Sequence, residues 1–195
     1  MRKLKTFEKF NESVGEINLP NEISISDFID ELNKKSPLPV SKQVILDWWE
    51  KNLSMIKIFY FPFKNNQIMG CFFTGNKIAV NSTSFSPSDM KLFITLHESK
   101  HVLQDVDGTV EEKYFKTVVN ENKEEFLINY KMLEEDANDF AINGCKEMGL
   151  NNIVSSEQRL RMNENIGEII YNMMSTDIKR TGSTTFSELL YSQVL

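Results

Sequence analysis

Thr95-Leu96-His97-Glu98-Ser99-Lys100-His101-Val102-Leu103 decides how the rest of the chain is read. Within it, His97-Glu98-x-x-His101 has the form H-E-x-x-H. On a helix, residues four apart are separated by about 40° around the axis, so both imidazoles lie on one face. Two rings placed this way can each approach one Zn2+ at about 2.0–2.1 Å. Glu98 directly follows the first histidine and can reach a metal-bound water without being a ligand. Zinc lowers the pKa of that water from about 15.7 toward 7, and the carboxylate can take its proton. The chain has only two histidines, and both fall in this motif. Two solvated histidines on a helix face, the plain alternative, leave that coincidence unexplained.

The flanks support a helix. Ser86-Pro87-Ser88-Asp89 offers an N-cap serine, a proline at the first helical position and a carboxylate three residues after the cap. The spacing predicts a helix over 87–105, ended by Asp105, Asp107 and Gly108. Leu92, Leu96, Ser99 and Leu103 form its packing stripe, with His97 and His101 beside it at the border of core and cleft. Upstream the period changes. Met55–Phe61, Ile68–Thr74 and Lys77–Asn81 are rich in β-branched and aromatic residues and read as strands, separated by Pro62, Asn65-Asn66 and Gly75-Asn76. In the third, Ile78 and Val80 point to one face, Lys77 and Asn81 to the other. Such short connections imply a small antiparallel sheet.

Before the strands, Ser26 can cap a helix through Lys35, with Phe28, Ile29 and Leu32 inward and Pro37 and Pro39 as stops. Ser41 can cap a second, whose Trp48 and Trp49 read as core and rim packing. After the motif, residues 109–123 read as helix fragments or loop. A long helix follows over 124–148 with Gly149 as C-cap. Phe126, Tyr130, Leu133, Ala137, Phe140, Ala141 and Cys145 mark its buried face. Another helix starts at Ser155 or Ser156 and runs through Ser175, with Leu160, Ile166, Ile169, Ile170 and Met173 apolar. Gly182-Ser183 makes a joint before a short helix around Phe186 to Tyr191. The fold class is α+β: mostly helical, with a small antiparallel sheet packed beside the H-E-x-x-H helix. Residues 1–20 read as a loosely attached leader and 21–195 as a single domain. The wording Leu4-Lys5-Thr6-Phe7-Glu8-Lys9-Phe10-Asn11-Glu12 resembles leaders of phage-encoded proteins.

Composition narrows the function classes. A chain of 195 residues with 14 Phe suits one domain with a real core. Net charge is −6 with no long basic run, so nucleic-acid binding lacks its electrostatic footprint. No apolar run approaches the roughly 20 residues that span a membrane, so no membrane partner is expected. The basic N-terminus is interrupted at Glu8 before a signal-type apolar core forms, so an intracellular, cytoplasmic protein is expected. Cys71 and Cys145 are too few for a disulfide framework and read as buried thiols.

Two histidines do not complete a catalytic zinc site, which usually has three protein ligands and a water. With no third histidine, the third ligand is Glu, Asp or Cys. Asp107 stands where the longer pattern H-E-x-x-H-x-x-G-x-x-H puts its last ligand, but Gln104 replaces the turn glycine. Glu134 opens Glu134-Glu135-Asp136-Ala137-Asn138-Asp139-Phe140-Ala141, and 134 and 138 share a helix face. This stretch, E-x-x-A-N-x-F-A downstream of H-E-x-x-H, resembles the ImmA/IrrE-like metallopeptidases of the gluzincin clan. The resemblance covers roughly residues 55–145. It implies a minimal zincin-like fold and one Zn2+ per chain held by His97, His101 and Glu134. Ala137 would let the two helices approach, and Asn138 would orient a ligand histidine. It further implies a zinc-dependent endopeptidase acting on a peptide or protein substrate, with Glu98 as general base. The strand containing Ile78, Ala79 and Val80 would be the edge to which substrate adds. Tyr130, one turn before Glu134, is the nearest candidate oxyanion stabiliser. No repressor-type helix-turn-helix accompanies the motif. Two other readings are a non-catalytic metal-binding or virion-associated protein, and an anti-repressor or toxin protease with a single substrate.

Overall fold

The computed structural model describes residues 19–151 and 164–181, apart from 74, 85, 111, 112, 114 and 115. Its elements are β1 (Glu22–Ile23), α1 (Ile25–Lys35), α2 (Lys42–Leu53), β2 (Lys57–Phe61), β3 (Gly70–Phe73), β4 (Lys77–Asn81), α3 (Ser88–Val106), α4 (Lys116–Val119), α5 (Lys123–Glu147) and α6 (Glu164–Thr181). The class is α+β. The expected leader up to residue 18, the expected helix start at Ser155 or Ser156, the joint at Gly182-Ser183 and the helix around Phe186 to Tyr191 lie outside the described residues.

Caps explain the helix starts. Ser24, rather than Ser26, caps α1: its hydroxyl accepts the Asp27 N–H at 3.0 Å. Asp27, three residues on, is the partner that a cap at this position needs. Ser41 caps α2 as expected. The start of α3 differs from the sequence expectation. Pro87 occupies the cap and has no side chain to bond the first turn, where Asp89 accepts the Met90 N–H at 2.8 Å. Ser88 instead donates to the Leu32 carbonyl at 2.6 Å, fastening α3 to the end of α1. Gly149, at φ +85°, turns the chain after α5.

The sheet corrects the expectation of an antiparallel one. Strand order is β1-β2-β4-β3, with β2 and β4 parallel and the other two pairs antiparallel. Gly75 and Asn76, both at positive φ, close a tight β3–β4 hairpin. The connection over 62–69 is long enough to step past one strand position, so β3 lands outside β4 instead of between β2 and β4. The central place of β4 also corrects its role. Ile78, Ala79 and Val80 are fully buried and lie between strands on both sides, so they are not the edge of a cleft. A continuous apolar run suits a strand covered on both faces. The outer strand beside β4 is β3.

Both faces of the sheet are covered. Ile58, Phe72, Ile78 and Val80 face the main core, shared with Phe28, Leu32, Leu53, Leu92, Leu96 and Phe126. Phe59, Phe61, Cys71, Phe73 and Ala79 face a smaller cluster closed by Leu19 and Phe63. Asn81 is buried at the end of β4. It accepts the Phe63 and Thr83 N–H groups and donates to the Ile68 carbonyl, which pins the 62–69 connection. Helix α3 packs on β3, β4 and α5, and α5 packs on α6. Trp49 is buried; Trp48 lies over Gly144 of α5 and bonds Glu147 at 2.6 Å. On α6 the buried stripe is Gly167, Tyr171 and Met174, while Ile169 is exposed. Among the described residues, no helix is long and apolar enough to cross a membrane.

Candidate metal centre

Three chain segments meet at the site. Helix α3 supplies His97 and His101, one turn apart on one face, with Glu98 directly after the first, and α5 supplies Glu134 and Asn138. The two helices approach closely because their facing residues are small. Ala137 and Ala141 are fully buried on α5, and a Cβ on Gly144 would lie 3.2 Å from Leu96 of α3. On α3, Thr95 and Ser99 are fully buried and turn their hydroxyls back to the carbonyls of Lys91 and Thr95. Strand β3 closes the third side at Gly70. A Cβ there would meet Ile94 at 2.6 Å and Glu98 at 3.0 Å, so glycine is what lets the strand lie against the helix.

The donor atoms converge. His97 Nε2 is 3.1 Å and His101 Nε2 is 3.4 Å from Glu134 Oε2, and the two ring nitrogens are 3.1 Å apart. The other ring nitrogens are engaged: His97 Nδ1 lies 3.1 Å from Asn138 Oδ1 and His101 Nδ1 lies 2.8 Å from Gln104 Oε1. Those amide oxygens can only accept, so in the neutral imidazoles each Nδ1 carries the hydrogen and each Nε2 presents a lone pair. Two lone pairs and a carboxylate oxygen therefore point at one another. Glu134 Oε2 is buried and makes no hydrogen bond. Three such acceptors at this spacing repel unless a metal ion or a proton lies between them. Ligands about 2.0–2.1 Å from a tetrahedral zinc are ~3.3 Å from each other, close to what these atoms already show. The residues fit a metal ion. Phe72 and Phe93 wall the two histidines at ring-centroid distances of 5.4 and 6.4 Å. Among the described residues, His97, His101 and Glu134 are the group placed to hold such an ion.

Electrostatics agree with an anion held by its neighbours. Burial alone would raise the Glu134 carboxyl, but His101 and His97 overcome it and hold the pKa far below the usual carboxylate range. Burial would lower His101; Glu134, Glu98 and Gln104 outweigh it and raise it to about 9. Glu98 is half-buried, and burial raises its carboxyl against the pull of both histidines, while the Phe72 N–H donates to it.

Each expected site residue can now be placed. His97, Glu98, His101, Glu134 and Asn138 come together. Asp107 does not. It caps the end of α3 and accepts the Thr109 N–H at 2.9 Å, exposed to solvent. Tyr130 is beside the site but not free in it. Its phenol is buried and hydrogen-bonds Glu134; burial, Glu134 and Glu98 push its pKa well above the ordinary value. That bond engages it with the Glu134 carboxylate. Ile78, Ala79 and Val80 sit behind β3, away from solvent. Gln104, expected only as the residue replacing a turn glycine, has a role beside the cluster that the motif did not announce. It stands three residues after His101, where i,i+3 spacing puts a polar side chain beside the ring. Comparison with protein-family models, curated proteins and solved structures returned no match to this chain.

Proposed function

We propose that the chain is a zinc-dependent endopeptidase of small gluzincin type, related in plan to the ImmA/IrrE-like metallopeptidases. The observation that carries this reading is the convergence of His97 Nε2, His101 Nε2 and the unbonded Glu134 Oε2 beside a second carboxylate, Glu98. A site that only stored a metal would have no use for an acid next to the ligands. Bound there, zinc would supply Lewis acidity and a water of lowered pKa. Glu98 would take the proton of the attacking water and return it to the leaving amine. Asn138 and Gln104 would keep both rings turned toward the metal, and Tyr130 would hold the Glu134 carboxylate.

Substrate would add along β3. Asn81 N–H bonds the Met69 carbonyl at 2.9 Å, so in the antiparallel ladder Cys71 and Phe73 also face β4 and the backbone groups of Gly70 and Phe72 face outward. Phe72 N–H already reaches Glu98 from that edge. An extended peptide lying there would pass the metal with its backbone paired to the strand. The phage-type wording of residues 4–12 would put the chain in an infected bacterium.

Zinc content and turnover of a denatured-protein or peptide-library substrate test this. Wild type should hold about one zinc per chain and cleave, as expected for a three-ligand catalytic site. Glu98→Gln should keep the zinc and lose roughly two to four orders of magnitude in rate. Glu134→Ala should lose both. A wild type that holds zinc and cleaves nothing in a broad library would favour a metal-binding protein or a single-substrate protease.

A further inference from the structure

We infer that Gln104 is a positioning residue that fixes the tautomer of His101 and locks it to the helix carrying the third ligand. This rests on the metal-site reading above, not on peptide cleavage. Gln104 is 2% exposed. Its Nε2 donates to the Leu133 carbonyl at 3.1 Å and to Asp136 Oδ2 at 2.8 Å. Both partners are acceptors only, so both amide hydrogens are committed and the amide cannot turn over without losing both bonds. Its Oε1 is therefore the atom left facing His101 Nδ1, at 2.8 Å. An amide oxygen accepts, so the ring hydrogen is on Nδ1 and the Nε2 lone pair is aimed at His97 Nε2 and Glu134 Oε2.

The anchors matter as much as the bond. Leu133 and Asp136 flank Glu134 on α5, and Lys100 of α3 holds Asp136 at 3.2 Å. One side chain of α3 thus sets the ring of a ligand on its own helix by reference to two residues around the ligand on the other. His97 has a matching device in Asn138, which reaches from α5 to its Nδ1 at 3.1 Å. Each ligand histidine is oriented by an amide, and each amide joins the same two helices.

The chain's two histidines make the test simple. Protein with 15N-labelled histidine should show two slowly exchanging ring N–H signals, and cobalt(II) can stand in for zinc as the optical probe. Gln104→Leu fills the same space without the acceptor. We expect it to lose the His101 N–H signal, retain that of His97, and bind cobalt about 10–100-fold more weakly, the usual cost of removing such a partner. Asn138→Ala should lose the His97 signal and retain that of His101. Both signals intact in Gln104→Leu, with cobalt affinity within about twofold of wild type, would overturn the proposal. Loss of both signals together would overturn it too, because Gln104 would then support the helix pair at large and not one ring. A wild type that takes up no cobalt would overturn it along with the metal site. A chain that binds cobalt and cuts no peptide would sink the peptidase reading alone.

Discussion

Lys91 is the residue whose surroundings least match its chemistry. It is 1% exposed on the first turn of α3. Its ammonium donates to the Ser82 carbonyl at 3.1 Å and lies over the Tyr60 ring at 5.6 Å. Lys35 bonds the same carbonyl at 2.6 Å, so two cations share one acceptor. Burial, then the charge of Lys35, lowers the Lys91 pKa from 10.5 to about 8. The sign follows from proton counting. Between about pH 8 and 10.5 the unfolded chain holds a proton at Lys91 that the folded chain has released. Stability contributed by this residue therefore rises with pH across that window and is lowest below it. Lys91→Met should melt higher than wild type at pH 7, and the gap should close as pH approaches 10.5. Melting curves of the two proteins across that range check this, the difference cancelling other groups that titrate there. A gap that does not change with pH would mean that Lys91 is not the titrating group. The sequence gives no sign of this strain. A lysine beside an apolar stripe reads as solvated, and only the tertiary fold brings the Ser82 carbonyl and Lys35 to it. His97, Glu98 and His101 are the opposite case, because their relation is fixed by the four-residue period of one helix.

At the level of elements, the site depends on how closely α3 and α5 approach. The order E-x-x-A-N announced this, since it puts a small residue about one turn from Glu134. Ala137 is fully buried. Leucine there would add three carbons where no space exists, and overpacking of this kind costs about 1–3 kcal/mol. The strain should push the helices apart and carry Glu134 away from the two imidazoles. Ala137→Leu should therefore lower the melting temperature and the zinc affinity together, whereas Glu135→Ala, one residue from the ligand but exposed, should change neither. Calorimetric zinc titration with thermal melts measures both. Full affinity in a destabilised Ala137→Leu would show that the ligand positions do not depend on this spacing. Strand placement was less visible than helix contact. β-branched and aromatic runs mark where strands form, but pairing order depends on whether a connection can step over a neighbour. The 62–69 connection does so, held by the buried Asn81 amide. A lone asparagine at a strand end carries no such message before folding. The expected edge at Ile78–Val80 failed for that reason, and β1, two residues long, has no period to detect.

For the whole molecule, the three residues that could hold an ion come from α3 and α5, two helices built into the main core. α3 lies between the sheet and α5, and α5 in turn supports α6. The α+β class and most of the core could be read ahead of time, because amphipathic periods decide which faces are buried. The coupling of that core to an ion could not, because it depends on three lone pairs meeting at 3.1–3.4 Å across separate elements. That meeting has a consequence for stability. With no cation between them, Glu134 Oε2 stays buried without a hydrogen bond, and the α3–α5 contact carries this cost. A cation that binds only the folded arrangement removes the cost and adds its own binding energy. At a free concentration of 100 times Kd it stabilises by about 2.7 kcal/mol. For a chain of this size, each kcal/mol raises Tm by roughly 2–4 °C. Zinc added to chelator-stripped protein should then raise Tm by about 5–10 °C. Glu98→Gln should show the same rise, because Glu98 is not a ligand. Glu134→Ala should show little, even though it also removes the unbonded oxygen. Magnesium at the same free concentration should do little, since two imidazoles suit zinc and not a hard cation that prefers oxygen ligands and keeps its waters. If stripped wild type melts at the same temperature with and without zinc, the three residues are a hydrogen-bonded cluster in which His101, raised to about 9, carries the proton that satisfies Glu134.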